Sequence, residues 1–123
     1  MPPGLHVRRG GDGPSSCCLH GLGADADVWE PLLPHVQDRW QWTTVDLPGH
    51  GSSAPLPRYS FGALASAVAP AVDPGQPVVV LGHSLGGVVA LALGSGWYGV
   101  EVRAVALGSK VVWTPRRWPG PAA

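Results

Sequence analysis

The stretch Gly82–Gly86, with the sequence Gly-His-Ser-Leu-Gly, has residue types and a spacing that could perform covalent chemistry. It follows the β-branched run Val78–Leu81, which is typical of a strand, and precedes the apolar run 87–93, which is typical of a buried helix. A G-x-S-x-G sequence at a strand-to-helix junction holds a serine hydroxyl on a sharp turn above a sheet. In a chain with 18 glycines the bare pattern is weak, but its position between strand and helix favours this turn. The sequence therefore predicts that Ser84 is a nucleophile.

The residues around Ser84 fit this role in size and electrostatics. Glycines two positions before and after the serine remove side chains that would collide at a sharp turn. Ser84 is expected to adopt a sparsely allowed backbone conformation, which the surrounding structure must hold. Its hydroxyl would face substrate at a helix N-terminus, where free N–H groups and the helix dipole favour negative charge. The backbone N–H of Leu85 would then point at the oxyanion of a tetrahedral intermediate.

Alternating strands and helices are predicted to position this turn. Four short apolar runs are typical of strands: Ser15–Leu19, Trp40–Val45, Val78–Leu81 and Val100–Leu107. Three helices are predicted: one capped by Asp25 or Asp27 and continuing through Val36, one capped by Ser60 and ended by Pro70 or Pro74, and one following Ser84. Strands that alternate with helices across single connections favour an α/β fold with parallel βαβ units.

The length of the chain allows one domain, which we predict to span residues 1–123. Residues 1–14 and 114–123 contain several Gly and Pro residues and are predicted to be irregular tails. The alternation Leu5–Arg8 leaves open a remnant edge strand in the first of them.

Charge and cysteine usage exclude several classes of partner. The net charge is zero and the isoelectric point is about 7.0, which disfavours binding to nucleic acid or to an anionic membrane surface. No apolar run approaches the length of a transmembrane helix. Cys17 and Cys18 are adjacent and lack metal-ligand spacing, so we interpret them as small core residues in a reducing compartment. The sequence therefore predicts a soluble cytoplasmic protein without a metal or cofactor.

Four stretches of the chain resemble the α/β-hydrolase family, in particular its serine esterase and lipase-like members. They are His20–Gly23 with the following Trp29, Val45–Ser53, Gly82–Gly87 and Val102–Leu107, and they occur in the family's order and spacing. The resemblance implies that Ser84 forms an acyl-enzyme and that the backbone N–H groups of Leu22 and Leu85 form the oxyanion hole. It implies acyl transfer on a small carboxylic ester or thioester, rather than the carboxylate chemistry of the family's dehalogenases and epoxide hydrolases.

The chain departs from this family in the residues that should activate the serine. In the family an acid and then a histidine follow the nucleophile, yet Glu101 is the only acidic residue after Ser84 and no histidine follows it. The five histidines all precede the serine: His6, His20, His35, His50 and His83. By the resemblance, His20 and His50 are structural residues in loops that border the site, and Asp46 ties loops together.

These departures predict a partial α/β-hydrolase sheet, mostly parallel with flanking helices and truncated after the strand that follows the Ser84 helix. Such a sheet has an unpaired edge, which predicts marginal stability or self-association. Ester or thioester hydrolysis through Ser84, incomplete in this chain, is the leading interpretation of function. The alternatives are a catalytically inactive fragment or non-catalytic binding module, an acyltransferase of the same fold, and a site completed by another polypeptide.

Overall fold

A computed structural model describes residues 4–72 and 75–108, which form one five-stranded sheet with helices on both faces. The strands are β1 (Val7–Gly11), β2 (Ser15–Leu19), β3 (Gln41–Val45), β4 (Val78–His83) and β5 (Val102–Gly108). Their order in the sheet is β1-β3-β2-β4-β5. β1 pairs with β3 in antiparallel orientation, and the other three pairs are parallel. The predicted α/β fold with a mostly parallel sheet is therefore confirmed.

β1 lies at one edge of the sheet, within the segment 1–14 that the sequence predicts to be an irregular tail. This prediction is wrong for β1. The glycines of β1 leave room for a side chain of the neighbouring strand, and this lets β1 pair with it. A Cβ atom on Gly10 would lie 2.5 Å from Cζ2 of Trp42, its partner on β3. The interpretation of Leu5–Arg8 as an edge strand is closer, although the strand begins two residues later. Residues 114–123, the other predicted tail, lie outside the described residues.

The region after β2 contains two short helices instead of the single helix that the sequence predicts. A 3-10 helix spans Ala26–Trp29, and helix α1 spans Leu33–Val36. A continuous helix is interrupted because Pro31 and Pro34 lack the N–H groups that a helix interior requires. The predicted cap is confirmed, since Asp25 Oδ1 accepts the amide N–H two residues further on at 2.9 Å.

Helices α2 (Phe61–Val68) and α3 (Leu85–Gly94) pack against each other and against the sheet. The predicted cap of α2 is confirmed, because Ser60 Oγ accepts the Ala63 N–H at 3.0 Å. A 3-10 helix over Ala69–Ala71 continues α2 and contains a proline. None of the helices in the described ranges is long and apolar enough to cross a lipid bilayer.

The main hydrophobic core lies between the sheet and helices α2 and α3. Its fully buried side chains include Leu19, Val45, Val80, Val89 and Leu93. A smaller cluster on the opposite face contains Cys18, Trp29, Leu33 and Trp42. Because β2, β3 and β4 are parallel, the loops that follow them meet at the C-terminal ends of the strands.

β5 lies at the other edge of the sheet. It pairs with β4 on one side, and no strand of the described ranges pairs with its second side. An unpaired strand edge offers N–H and C=O groups to another chain. Self-association through this edge stays a prediction, which analytical ultracentrifugation tests; a monomer across a wide concentration range would contradict it.

Candidate active site

Ser84 occupies the turn between β4 and α3. Its backbone has φ 54° and ψ −114°, and within the described residues it is the only non-glycine residue with positive φ. Such a conformation costs about 1–3 kcal/mol. The Ser84 N–H donates to the Gly108 carbonyl at 2.9 Å, and the Ser84 carbonyl accepts the Gly87 N–H at 2.9 Å, so the backbone is held on both sides. The side chain is exposed and makes no capping hydrogen bond, which leaves the hydroxyl available for chemistry.

Two glycines permit the close packing of this turn. A Cβ atom on Gly86 would lie 2.5 Å from the carbonyl oxygen of His20, and a Cβ atom on Gly82 would lie 2.5 Å from Cα of Gly87. The nearest atoms in both cases belong to the backbone, which cannot move aside as a flexible side chain can. The spacing of the two glycines around the serine therefore reflects the contact of α3 with the ends of β2 and β4.

Leu22 and Leu85 carry the two amides that are predicted to bind an oxyanion. Leu22 lies in the loop after β2, and no hydrogen bond of its N–H occurs among the described residues. Leu85 is the first residue of α3, where amide N–H groups have no acceptor within the helix. Both residues line one cavity of about 620 Å³. The structure thus brings these two residues to the same cavity, and one of them directly follows Ser84 in the chain.

His20 lies between the loops that follow β2 and β3. Its Nδ1 is 2.7 Å from the Gly21 carbonyl oxygen, and its Nε2 is 2.9 Å from the amide nitrogen of Leu47. A carbonyl only accepts and an amide N–H only donates, so Nδ1 carries the proton and Nε2 accepts. Burial lowers the pKa of His20 and keeps the ring neutral. Since both ring nitrogens are engaged, His20 has a structural role and is not free to take a proton from Ser84.

We expect the fold to lose stability as the pH falls below about 6.5, the ordinary pKa of histidine. Burial, with a smaller contribution from the neighbouring His50, lowers the pKa of His20 in the folded chain. The hydrogen bond to the Gly21 carbonyl and, to a smaller extent, the carboxylates of Asp46 and Asp25 oppose this shift. The unfolded chain therefore binds more protons than the folded chain below this pH. The stability that the neutral ring provides is present above about pH 6.5 and is lost as the pH falls towards the lowered pKa. Urea denaturation across a pH series measures the effect.

Two histidine variants provide the control for this pH dependence. His20→Gln is expected to flatten the curve of unfolding free energy against pH below about 6.5, because the titrating group is removed. His35→Gln changes an exposed histidine of α1 and should leave the curve unchanged. An unaltered curve in His20→Gln would show that another group causes the pH dependence.

Asp46 follows β3 and is buried with its carboxylate bonded to backbone N–H groups. Oδ1 accepts the Ala26 N–H at 2.8 Å, and Oδ2 accepts the Ser52 N–H at 3.0 Å. Gly51 is required beside it, because a Cβ atom there would lie 2.5 Å from Cγ of Asp46. The carboxylate thus joins the loop after β3 to the 3-10 helix after β2, which agrees with the loop-tying role that the resemblance implies.

Asp46→Asn is expected to lower the free energy of unfolding by about 1–3 kcal/mol. The asparagine keeps one acceptor oxygen, but its amide group cannot accept the second backbone N–H, which then stays buried without a partner. Chemical denaturation measures the loss. Asp38→Asn, a change of an exposed carboxylate, is the matched control and should have almost no effect. Equal stability of the two variants would contradict a structural role for Asp46.

His50 and His83 have different surroundings. His50 lines the cavity, and its Nδ1 is 3.1 Å from the Pro48 carbonyl oxygen, so Nδ1 carries a proton and donates to this carbonyl. Its ring centroid is 5.0 Å from that of His20. The ring of His83 lies against Gly21, where a Cβ atom would be 2.9 Å from its Nδ1. No histidine in the described ranges is hydrogen-bonded to the serine hydroxyl.

Glu101 lies at the opposite end of the parallel strands from Ser84, as the sequence predicts. It directly precedes β5, and its carbonyl accepts the Val78 N–H at 2.9 Å at the start of β4. Ser84 follows the other end of β4, so the length of a strand separates the two side chains. Glu101 is therefore not placed to act as an acid in a triad with this serine.

Cys17 and Cys18 are free thiols buried on opposite faces of β2. Burial raises the pKa of both thiols, that of Cys18 to about 12. Both stay protonated at neutral pH, so neither is an alternative nucleophile. In residues 4–72 and 75–108, no group of three or more His, Cys, Asp or Glu side chains is placed to hold a metal ion.

Two aromatic residues at the site were not singled out by the sequence. Tyr59 and Phe61 lie on either side of Ser60, the cap of α2, and line the cavity with Leu22 and Leu85. A signal was available in the sequence, since two large aromatic residues flank a helix cap after a Gly- and Pro-rich loop. Their place at the cavity depends on the packing of α2 beside α3, which local sequence does not show.

Comparison with known proteins agrees with this arrangement. The family model described as "Alpha/beta hydrolase family" matches residues 18–123. The pimeloyl-[acyl-carrier protein] methyl ester esterase of Methylococcus capsulatus is 40% identical over 88 residues, 72% of this chain and 34% of that protein. The enzyme of that name from Aeromonas hydrophila is 44% identical over 92 residues, 72% of this chain and 35% of that protein. The chain thus spans about a third of the length of these relatives.

Solved structures show the same fold. The crystal structure of E-2-(acetamidomethylene)succinate hydrolase superposes with a TM-score of 0.71 at 30% sequence identity, over 82% of this chain and 38% of that one. The family model covers most of the sequence. On the basis of the family model, the relatives and the shared fold, this chain belongs to the alpha/beta hydrolase family.

Proposed function

We propose that this chain carries the nucleophile and the oxyanion-binding part of a serine carboxylic ester hydrolase. The observation that carries the proposal is the turn at Ser84, where an exposed hydroxyl with no hydrogen-bond partner in the described part of the chain lies at the start of α3. Strain at a residue with a side chain persists only where the surrounding structure holds it, and it concentrates at functional sites. The curated relatives, which are named methyl ester esterases, support ester hydrolysis as the reaction class.

In the proposed reaction, Ser84 Oγ bonds to the carbonyl carbon of the ester while a general base takes the hydroxyl proton. The carbonyl oxygen becomes an oxyanion, to which the N–H groups of Leu22 and Leu85 donate. The bond to the alcohol oxygen then breaks, the alcohol leaves with the proton held by the base, and the acyl group remains on Ser84. Water, losing a proton to the base, attacks this acyl-enzyme; the carboxylic acid leaves and the hydroxyl is restored.

The general base in this proposal is a histidine from polypeptide outside these 123 residues. Among the described residues, His20 has both ring nitrogens engaged, and no histidine is hydrogen-bonded to the Ser84 hydroxyl. The family's order of nucleophile, acid and histidine also assigns the base to a position after the serine. Under this proposal the isolated chain binds and positions an ester but removes the proton from Ser84 slowly.

The proposed substrate is an ester of an acyl chain, with thioesters as the related class. The names of the curated relatives, which specify the methyl ester of a pimeloyl group on acyl-carrier protein, support an acyl chain of several carbons. The cavity beside Leu22 and Leu85 has a volume of about 620 Å³, within the range of about 300–1,000 Å³ that is usual for small-molecule sites. It has room for such a chain.

The test is mass spectrometry of the chain after incubation with p-nitrophenyl butyrate and imidazole, which provides a soluble base, and an acid quench. We expect a butyryl group on the peptide that contains Ser84 and none on that peptide in Ser84→Ala. Ser95→Ala, a change of an exposed serine at the other end of α3, is the matched control and should retain the adduct. Equal acylation of the wild type and Ser84→Ala would contradict the proposal.

A further inference from the structure

A second cavity lies at the end of the sheet opposite to Ser84, where the parallel strands begin. Its walls come from the end of α2 with the 3-10 helix that continues it, and from residues 97–101, which connect α3 to β5. Glu101 lines this cavity and bonds through its carbonyl to the start of β4, whereas Ser84 follows the other end of that strand. The second cavity has a volume of about 510 Å³, within the range of about 300–1,000 Å³ that is usual for small-molecule sites.

Trp97 lines the second cavity with an indole ring that is 85% exposed. Hydrogen bonds hold the turn that carries the ring. The Trp97 N–H donates to Ser95 Oγ at 3.2 Å, and the Gly99 N–H donates to the Gly96 carbonyl at 3.3 Å. Because so little of this ring is buried, its packing contributes little to the stability of the fold and does not explain why a tryptophan lies here.

Tyr98 contributes a second aromatic ring to the same cavity. It is partly buried and packs against the main hydrophobic core. Its hydroxyl lies beside Gly62 of α2, where a Cβ atom would be 3.0 Å away. The missing side chain at Gly62 thus leaves room for the hydroxyl, and the Tyr98 ring is held between α2 and the cavity.

The carboxylate of Glu101 gives the second cavity a negative charge. Glu101 is exposed, and it is the one charged residue among the described residues that line this cavity. The ion pairs in the described ranges join Arg8 to Asp27 and Glu30, and none of them involves Glu101. Since no positive side chain of these ranges lies within ion-pair distance of this carboxylate, its charge is available to a ligand.

Helix ends add partial negative charge near the second cavity. The last residues of α2 line it, and Pro70 has no N–H to donate to the Ser66 carbonyl four residues earlier. Helix α3 ends at Gly94, directly before the turn that carries Trp97. Carbonyl groups at the C-terminus of a helix favour cations nearby. Two aromatic rings, a carboxylate and two helix C-termini are therefore brought together at one concave surface.

We propose that the second cavity binds a small organic cation of the quaternary ammonium class. The face of a tryptophan ring attracts such a cation more strongly than the faces of the other aromatic side chains do, and the Glu101 carboxylate balances its charge. A quaternary ammonium group has no N–H donors to satisfy, so its methyl groups can pack against apolar residues such as Pro70 and Val72. A primary ammonium is more strongly hydrated and loses more on leaving water. The site is independent of the proposed function, because no described residue lines both cavities.

Nuclear magnetic resonance titration of the isotope-labelled full chain with choline tests this inference. The uncharged alcohol 3,3-dimethylbutan-1-ol has the shape of choline with carbon in place of the nitrogen, so comparison of the two isolates the effect of the charge. At constant ionic strength, we expect choline to shift the signals of residues 97–101 until they saturate. We expect the uncharged alcohol to bind about fivefold or more weakly.

Three variants locate the cation in the second cavity. Trp97→Ala should weaken choline binding by about fivefold or more, and Glu101→Gln should weaken it by about threefold. Both side chains are exposed, so neither change should disturb the fold. Phe61→Ala is the matched control, because Phe61 is an exposed aromatic residue that lines the cavity at the other end of the strands. It should leave choline binding unchanged.

Several results would overturn the inference. If choline causes no saturable shifts, the second cavity does not bind this class of cation. If choline and the uncharged alcohol bind with equal affinity, the cavity binds apolar groups whatever their charge. An affinity for choline that is unchanged in Trp97→Ala or in Glu101→Gln also contradicts the inference, because the cation would then bind elsewhere.

Discussion

Gly86→Ala is expected to destabilise the fold by about 3 kcal/mol or more, a large share of the about 5–15 kcal/mol by which native proteins are usually stable. The new Cβ atom would lie 2.5 Å from the His20 carbonyl oxygen and is also too close to the Leu19 carbonyl. To relieve this clash, α3 must move away from the end of β2. This movement separates the side chains of α3 from the rest of the main core. Chemical denaturation followed by circular dichroism measures the change.

Gly87→Ala is the matched control for this prediction. The two glycines are neighbours in the first turn of α3 and both are buried. A Cβ atom on Gly87 would lie 3.4 Å from a methyl carbon of Leu107 and 3.5 Å from the Gly82 carbonyl oxygen, which are ordinary contacts. Alanine also favours a helix over glycine by up to about 1 kcal/mol, so this variant should be as stable as the wild type or more stable. Similar stabilities of the two variants would show that the contact of α3 with β2 is not tight.

Ser84→Gly is expected to abolish acylation and, at the same time, to raise the free energy of unfolding by about 1 kcal/mol. Glycine has no Cβ atom and adopts φ 54° without the strain that serine has there. Removal of the nucleophile costs about 10⁶-fold in kcat in a complete serine hydrolase, so any Ser84-dependent product should disappear. Thermal unfolding and the butyryl-adduct assay measure the two effects on one protein sample.

Ser84→Ala separates the strain at this position from its chemistry. Alanine lacks the hydroxyl but keeps a Cβ atom, so it should be as inactive as glycine while remaining about as strained as serine. We therefore expect the stabilities to rank glycine above alanine and serine, with activity in serine alone. A Ser84→Gly variant that is less stable than Ser84→Ala would mean that the turn is not strained in solution.

Short-range features of the fold were predictable because they depend on neighbouring residues. Asp25 and Ser60 cap their helices through amides two and three positions away, and both caps are confirmed. Ser84 was found in the same way, since its turn is encoded by glycines two positions away and by an apolar strand and helix on either side. The parallel sheet followed from the alternation of these elements along the chain.

Tertiary structure decided the features that depend on residues far apart in the chain. Gly10 became part of a strand because Trp42 packs across it, although its Gly-rich context predicted an irregular tail. The tautomer of His20 depends on an amide 27 residues away, at Leu47. Tyr59 and Phe61 became a cavity wall only because α2 packs beside α3 and brings them to the loop that contains Leu22.

The sequence by itself therefore determined the fold class, the family resemblance and the nucleophile candidate, because strand periodicity, helix caps and the Ser84 turn are each specified within a few residues. The tertiary structure alone decided which polar groups near that serine are already engaged and which apolar groups are exposed beside it. Hydrogen-bond partners and cavity walls come from segments that only folding brings together. For this reason the hydrogen-bond partners of His20 and Asp46 and the apolar lining of the cavity could be identified only from the folded chain.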